Sequence, residues 1–155
     1  MTPQEFVRRL AKNGWKIACA ESCTGGLFAK TVTDVPGASE VFEYGAVVYS
    51  NRVKSQLLSV RPETIRLHTE ISEEVARELA KNITIIASSD FGVGITGLAG
   101  PGGGTPEHPV GQVFVCVYRR EDDAFFPREL SLTGSREEIR QKTVDAVYEI
   151  WNEIL

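Results

Sequence analysis

Apolar positions recur along the chain with two periods, and the switches between them predict its elements. Phe6, Val7 and Leu10 share one face behind Thr2-Pro3-Gln4-Glu5. Thr2 fits an N-cap, Pro3 the first helical position and Glu5 the third, which predicts a helix to about Asn13-Gly14. Lys16-Ile17-Ala18-Cys19-Ala20 is a short apolar strand that runs into Glu21-Ser22-Cys23-Thr24-Gly25-Gly26. Leu27, Phe28 and Val32 then continue as a helix that stops near Pro36-Gly37. Phe42 to Tyr49 reads as a buried strand. Ser50 or Asn51 fits the cap of a short helix carrying Arg52, Lys54, Leu57 and Leu58, which Arg61-Pro62 breaks. Pro62 to Leu67 has room for one or two helical turns. Ser72-Glu73-Glu74 opens a longer helix with an apolar stripe through Val75, Leu79, Ile83 and Ile86.

The second half turns to strands. Phe91 to Thr96 alternates glycine with apolar residues and empties into the glycine-rich run from Gly97 to Pro106. Val110–Tyr118 and Ala124–Leu132 predict a hairpin across Arg120-Glu121-Asp122-Asp123. Ser135 fits the cap of a final helix bearing Ile139, Val144, Val147, Ile150 and Trp151. Helices alternating with strands, followed by a hairpin, predict an α/β fold: one domain over residues 1–155, in three α/β/α layers around a mixed sheet. Ligands of such sheets sit beyond the carboxyl ends of strands, where both glycine loops are expected to emerge.

Composition narrows the function. The chain has 155 residues, 42% of them hydrophobic and 25% charged, enough for one buried core. A net charge of -4 gives no bulk attraction to nucleic acid or to an anionic membrane, so neither is an expected partner. No apolar run approaches the roughly 20 residues that span a bilayer, and the opening residues lack a signal-peptide pattern, so a cytoplasmic location is expected. Cys19, Cys23 and Cys116 form an odd set without a Cys-x-x-Cys pair, and His68 and His108, read as surface loop residues, share no ligand spacing. Neither a disulfide framework nor a metal centre is expected.

Candidate chemistry gathers in two loops and one helix. The Ser22 loop brings a hydroxyl, a thiol and two glycines to a helix start, an arrangement that serves as a simple cap, as an anion cradle or as a mount for a serine nucleophile. Periodicity leaves these uses open. A serine nucleophile needs a base, and Lys54, just after the Tyr49-Ser50 strand end, takes that part only if burial lowers its pKa toward neutrality; otherwise it is a solvated helix lysine. Tyr49 reads either as a strand aromatic or as a proton relay. The glycines from Gly97 to Gly104 let backbone approach a ligand closely, yet they match neither the P-loop nor the dinucleotide fingerprint, and a flexible tip is the alternative. Arg136 and Arg140 lie one turn apart and offer a fork to phosphate or carboxylate, or pair with Glu137 and Glu138 at the surface.

Several motifs together resemble one known family. Ala20 to Gly26, Thr33-Asp34-Val35-Pro36-Gly37-Ala38-Ser39, Tyr49-Ser50-Asn51 with Lys54, Thr96 to Gly103, and Arg136 with Ile139-Arg140 are similar to the CinA C-terminal domain family, over nearly the whole chain. Stand-alone members are nicotinamide mononucleotide deamidases. The resemblance implies a metal- and cofactor-independent amidase of pyridine nucleotide salvage, forming nicotinic acid mononucleotide and ammonia. It implies Ser22 as nucleophile, Lys54 as general base and Tyr49 as an orienting or relaying partner. Thr24, Gly25 and Gly26 with Thr96, Gly97, Gly100, Gly102 and Gly103 would serve the oxyanion and the ribose phosphate, and Arg136 or Arg140 would anchor charge. A homo-oligomer is the family's common state. Larger members carry a further N-terminal domain that has no counterpart in this sequence. The rival readings are a non-catalytic nucleotide- or phosphate-binding module using the same pocket, and an amidase using Cys23 as its thiolate.

Overall fold

The computed structural model describes residues 1–155. Local chemistry sets most element ends. Helix α1 (Pro3–Asn13) opens on a Thr2–Glu5 capping box and closes on Gly14 at φ 67°, a left-handed position that glycine occupies without strain. Ser50 caps α3 (Asn51–Leu58), Ser72 caps α5 (Glu73–Ala87), and Ser135 forms a second capping box with Glu138 at the head of α6 (Arg136–Ile154). Between them run β1 (Ile17–Glu21), α2 (Leu27–Thr33), a 3-10 turn at Ala38–Glu40, β2 (Phe42–Val47), α4 (Pro62–His68), β3 (Phe91–Gly97), β4 (Gln112–Arg119) and β5 (Ala124–Ser131).

The five strands form one sheet in the order β2-β1-β3-β4-β5. The pairs β1–β2 and β1–β3 are parallel, while β3–β4 and β4–β5 are antiparallel, giving the mixed sheet of an α/β fold. Strand alternation divides two cores between the faces. Ile17, Cys19, Phe91, Val93, Ile95, Val113, Val115 and Val117 face α1, α2 and α6. Phe6 stacks at 4.9 Å and Phe91 at 5.1 Å against the fully buried Trp151 ring there. On the opposite face Ala18 and Ala20 meet Leu58 of α3 and Val75, Leu79 and Ile83 of α5, while Phe114, Cys116 and Tyr118 pack on Ala76 and Ala80.

Helix α5 lies directly on the backbone of β3. A Cβ at Gly92 or Gly94 would press into the carbonyl oxygens of Ala80 or Ala76, so the glycines alternating along this strand are what let the helix descend. The stripe of α5 accordingly runs through Ala76, Ala80 and Thr84 as well as Val75, Leu79 and Ile83. Ile86, expected on it, is 49% exposed near the end of the helix.

Strand β2 departs further from expectation: it is not buried, and Tyr44 and Val47 are about half exposed. It occupies the sheet edge, with β1 as its single partner, so its apolar run does not mark a central strand. No helix is long and apolar enough to cross a membrane. Because β1, β2 and β3 are parallel, their carboxyl ends lie together, and three connections leave from that one edge: the Ser22 loop, Val48-Tyr49 and the Gly97 loop.

Candidate active site

The Ser22 loop is fixed from below by a residue that composition conceals. Glu21, read as part of the loop, is the last residue of β1 and is 1% exposed. Its carboxylate accepts from the Thr24 hydroxyl at 2.6 Å, the Phe28 amide at 3.0 Å and the Ala29 amide at 2.9 Å. A buried carboxylate is tolerated when its lone pairs are filled in this way. The consequence is a tight turn in which the Gly25 amide donates to the Ser22 carbonyl at 3.0 Å. The amides of Thr24 and Gly26 donate to nothing in the chain.

From above, Arg140 donates through Nη2 to the Thr24 carbonyl at 2.8 Å, passing a point 2.8 Å from where a Cβ on Gly25 would stand. Gly25 and Gly26 adopt φ of 61° and 98°, so they supply both the left-handed turn and the clearance for that guanidinium.

Across the edge, α3 carries Lys54 inward. Ser50 sets the first turn, and the apolar face of the helix drops both Leu58 and Lys54 to 1% exposure. Lys54 Nζ donates to Ser22 Oγ at 3.2 Å and to the Tyr49 carbonyl at 3.4 Å. Burial pushes the lysine pKa below its ordinary 10.5, and the negative charge of Glu70 partly opposes the shift. The sequence-level alternative of a solvated helix lysine is thereby excluded. Cys23 behaves in the opposite sense to a reactive thiol: burial pushes its pKa up to about 11, which keeps it protonated.

Ser22 and Lys54 open into a cavity of about 190 Å³. Of the other residues singled out from the sequence, Tyr49, Thr96, Gly97, Gly100, Gly102 and Arg136 line it. Arg136 ties two walls together, donating to the Gly100 carbonyl at 2.7 Å and to the Tyr49 hydroxyl at 2.9 Å. Thr96 lines the cavity while its hydroxyl donates to the Glu70 carbonyl at 2.7 Å. The remaining five do not line it. Thr24 spends its hydroxyl on Glu21, Gly25 and Gly26 shape the turn, Arg140 clamps that turn, and Gly103 lies farther along its loop beside Leu98.

Sequence reasoning missed Glu70, which lines the cavity from the connection between α4 and α5, together with Ile71 beside it. No periodicity or glycine pattern marks that connection, and only the fold carries it to the site. His108, read as a surface loop residue, is half-buried and bonds Thr69 beside Glu70.

Geometry thus defines a three-layer α/β/α domain with a buried serine–lysine pair at the carboxyl edge of its parallel strands. The chain belongs to the CinA C-terminal domain family, whose pattern it matches over residues 2–155. A protein of Caldanaerobacter subterraneus provisionally named as competence-damage inducible is 46% identical over 138 residues, 89% of this chain and 33% of that protein. The chain spans about a third of the length of the curated relatives it matches. Among solved structures, a competence/damage inducible protein of Agrobacterium tumefaciens is 34% identical with a TM-score of 0.90, covering 97% of this chain and 94% of that one. A CinA superfamily protein of Escherichia coli superposes with a TM-score of 0.93 at 25% identity, covering 99% and 88% of the two chains.

Proposed function

We propose that this domain hydrolyses the carboxamide of nicotinamide mononucleotide, giving nicotinic acid mononucleotide and ammonia. The observation that carries the reading is the contact of Lys54 Nζ with Ser22 Oγ at 3.2 Å in a buried setting that lowers the lysine pKa. A serine hydroxyl is a weak nucleophile at its own pKa and needs such a base. Neutral Lys54 takes the Ser22 proton as Oγ attacks the amide carbon. The unpaired amides of the Ser22 turn supply donors for the oxyanion. As the tetrahedral intermediate collapses, the carbon–nitrogen bond breaks and the Lys54 ammonium returns its proton to the departing nitrogen, which leaves as ammonia. Water, deprotonated by Lys54, then cleaves the acyl ester and restores the Ser22 hydroxyl.

Supporting features lie around this pair. A cavity of about 190 Å³ suits the pyridine ring and its amide, smaller than the roughly 300 Å³ or more typical of pockets for whole ligands. The ribose phosphate then extends toward Arg136, whose guanidinium bridges Tyr49 and Gly100. Tyr49 meets Lys54 through its carbonyl and Arg136 through its hydroxyl, a placement that orients both side chains.

Purified protein incubated with nicotinamide mononucleotide should release ammonia, and Ser22→Ala should abolish release while retaining nucleotide binding. Binding without turnover in the unsubstituted protein would replace the enzyme with a binding module.

A further inference from the structure

Glu70 is the one cavity carboxylate the catalytic scheme leaves unused. It is half-buried and lines the same cavity as Ser22 and Lys54, and its carboxylate makes no hydrogen bond or ion pair within the chain. The backbone that carries it is held on both sides. The Thr96 hydroxyl grips the Glu70 carbonyl at 2.7 Å. The preceding residue, Thr69, sits at φ 64° and ψ 171°, a conformation that a β-branched residue rarely adopts. Its hydroxyl meets His108 Nε2 at 3.0 Å, and His108 Nδ1 meets Gln112 Oε1 at 2.9 Å. Strain of this kind concentrates at ligand-binding and active sites. Within the cavity the Glu70 carboxylate feels the charge of Lys54 but is bonded to no side chain, so it stays free to meet a cation that a ligand brings.

We propose that Glu70 is a specificity-determining residue that selects a cationic, N-substituted pyridinium ring over a neutral ring carrying the same carboxamide. The inference rests on the amidase reading for the ligand's identity. With the carboxamide carbon at Ser22 Oγ, the ring nitrogen lies two bonds from the ring carbon bearing the amide, so its positive charge arrives inside the same small cavity. Glu70 supplies the opposite charge on one wall, and Arg136 supplies a cation toward the mouth for the phosphate. The charge order of the site then mirrors that of a zwitterion.

The test uses two ligands on the Ser22→Ala protein, followed by calorimetry: nicotinamide mononucleotide and its 1,4-dihydro form. The latter has the same amide, ribose and phosphate on an uncharged ring. Adding Glu70→Gln should weaken the cationic ligand about tenfold or more and leave the dihydro ligand unchanged. Glu70→Asp should restore part of the preference. An unchanged melting temperature shows that the fold is intact, because the carboxylate makes no hydrogen bond that the substitution would break. Equal weakening of both ligands, or no change for the cationic one, overturns the proposal. Failure of the amidase reading is distinct: the unsubstituted protein then binds nucleotide without releasing ammonia, and the charge comparison still stands. If Ser22→Ala binds neither ligand, both readings fall.

Discussion

At the scale of single residues, the chemistry turns on the proton that Lys54 holds. In the proposed mechanism the active form is the neutral amine, and burial lowers its pKa from 10.5, so kcat/KM should rise with pH through an ionisation below 10.5. A profile flat from acid to alkaline pH would remove Lys54 as the base. Lys54→Met, close in volume, should lower kcat by about 10²–10⁴-fold, the usual worth of a positioned base. The same shift has a sign in stability. Protonation is disfavoured in the folded chain, so this group's contribution is greatest above 10.5 and is lost as pH falls through the folded pKa. The parts of this site differ in how far the sequence exposes them. Ser22 sits in a recognisable strand-turn-helix and Lys54 acquires a role through resemblance. Glu21 and Glu70, by contrast, are ordinary acidic residues by composition. One becomes a buried acceptor because four donors, the Cys19 thiol among them, converge on it, and the other reaches the cavity only after α4 and α5 are placed.

Among elements, contact between α5 and β3 holds the cavity-bearing edge in register, since β3 carries both Thr96 and the start of the Gly97 loop. A Cβ on Gly94 would overlap the Ala76 carbonyl oxygen and stand 2.7 Å from the Ala80 amide nitrogen, both of them helix backbone that cannot rotate away. Gly94→Ala should therefore destabilise the protein by about 3 kcal/mol, the upper end of overpacking costs, read as a lower urea midpoint. Gly102→Ala is the control: its Cβ would meet nothing within 4 Å, and its midpoint should move by no more than about 0.5 kcal/mol in equivalent stability. Caps and periods at Thr2, Ser50, Ser72 and Ser135 were legible because each acts over three or four residues. The environment of β2 was not. Phe42 to Val47 has the apolar content of a central strand, but exposure depends on strand order, and strand order depends on pairings between residues far apart in sequence.

For the molecule as a whole, the cavity is where distant segments meet. Ser22 follows β1, Lys54 rides on α3, Glu70 joins α4 to α5, Gly100 follows β3 and Arg136 opens α6. Each wall belongs to a different stretch of chain, so the cavity exists only when these stretches are assembled. A ligand bound there has no comparable site in the unfolded chain. Its binding energy therefore adds to global stability by linkage. For the non-hydrolysing Ser22→Ala protein, nicotinamide mononucleotide at 100 times its Kd should stabilise folding by about 2.7 kcal/mol. In a domain of this size that corresponds to a rise in Tm of about 5–10 °C. The rise should grow with the logarithm of ligand concentration. A Tm indifferent to the nucleotide over that range would mean that the folded chain does not bind it. A rise that persists after Arg136→Ala and Glu70→Gln are combined would mean that charge at the two ends of the cavity contributes nothing to holding it.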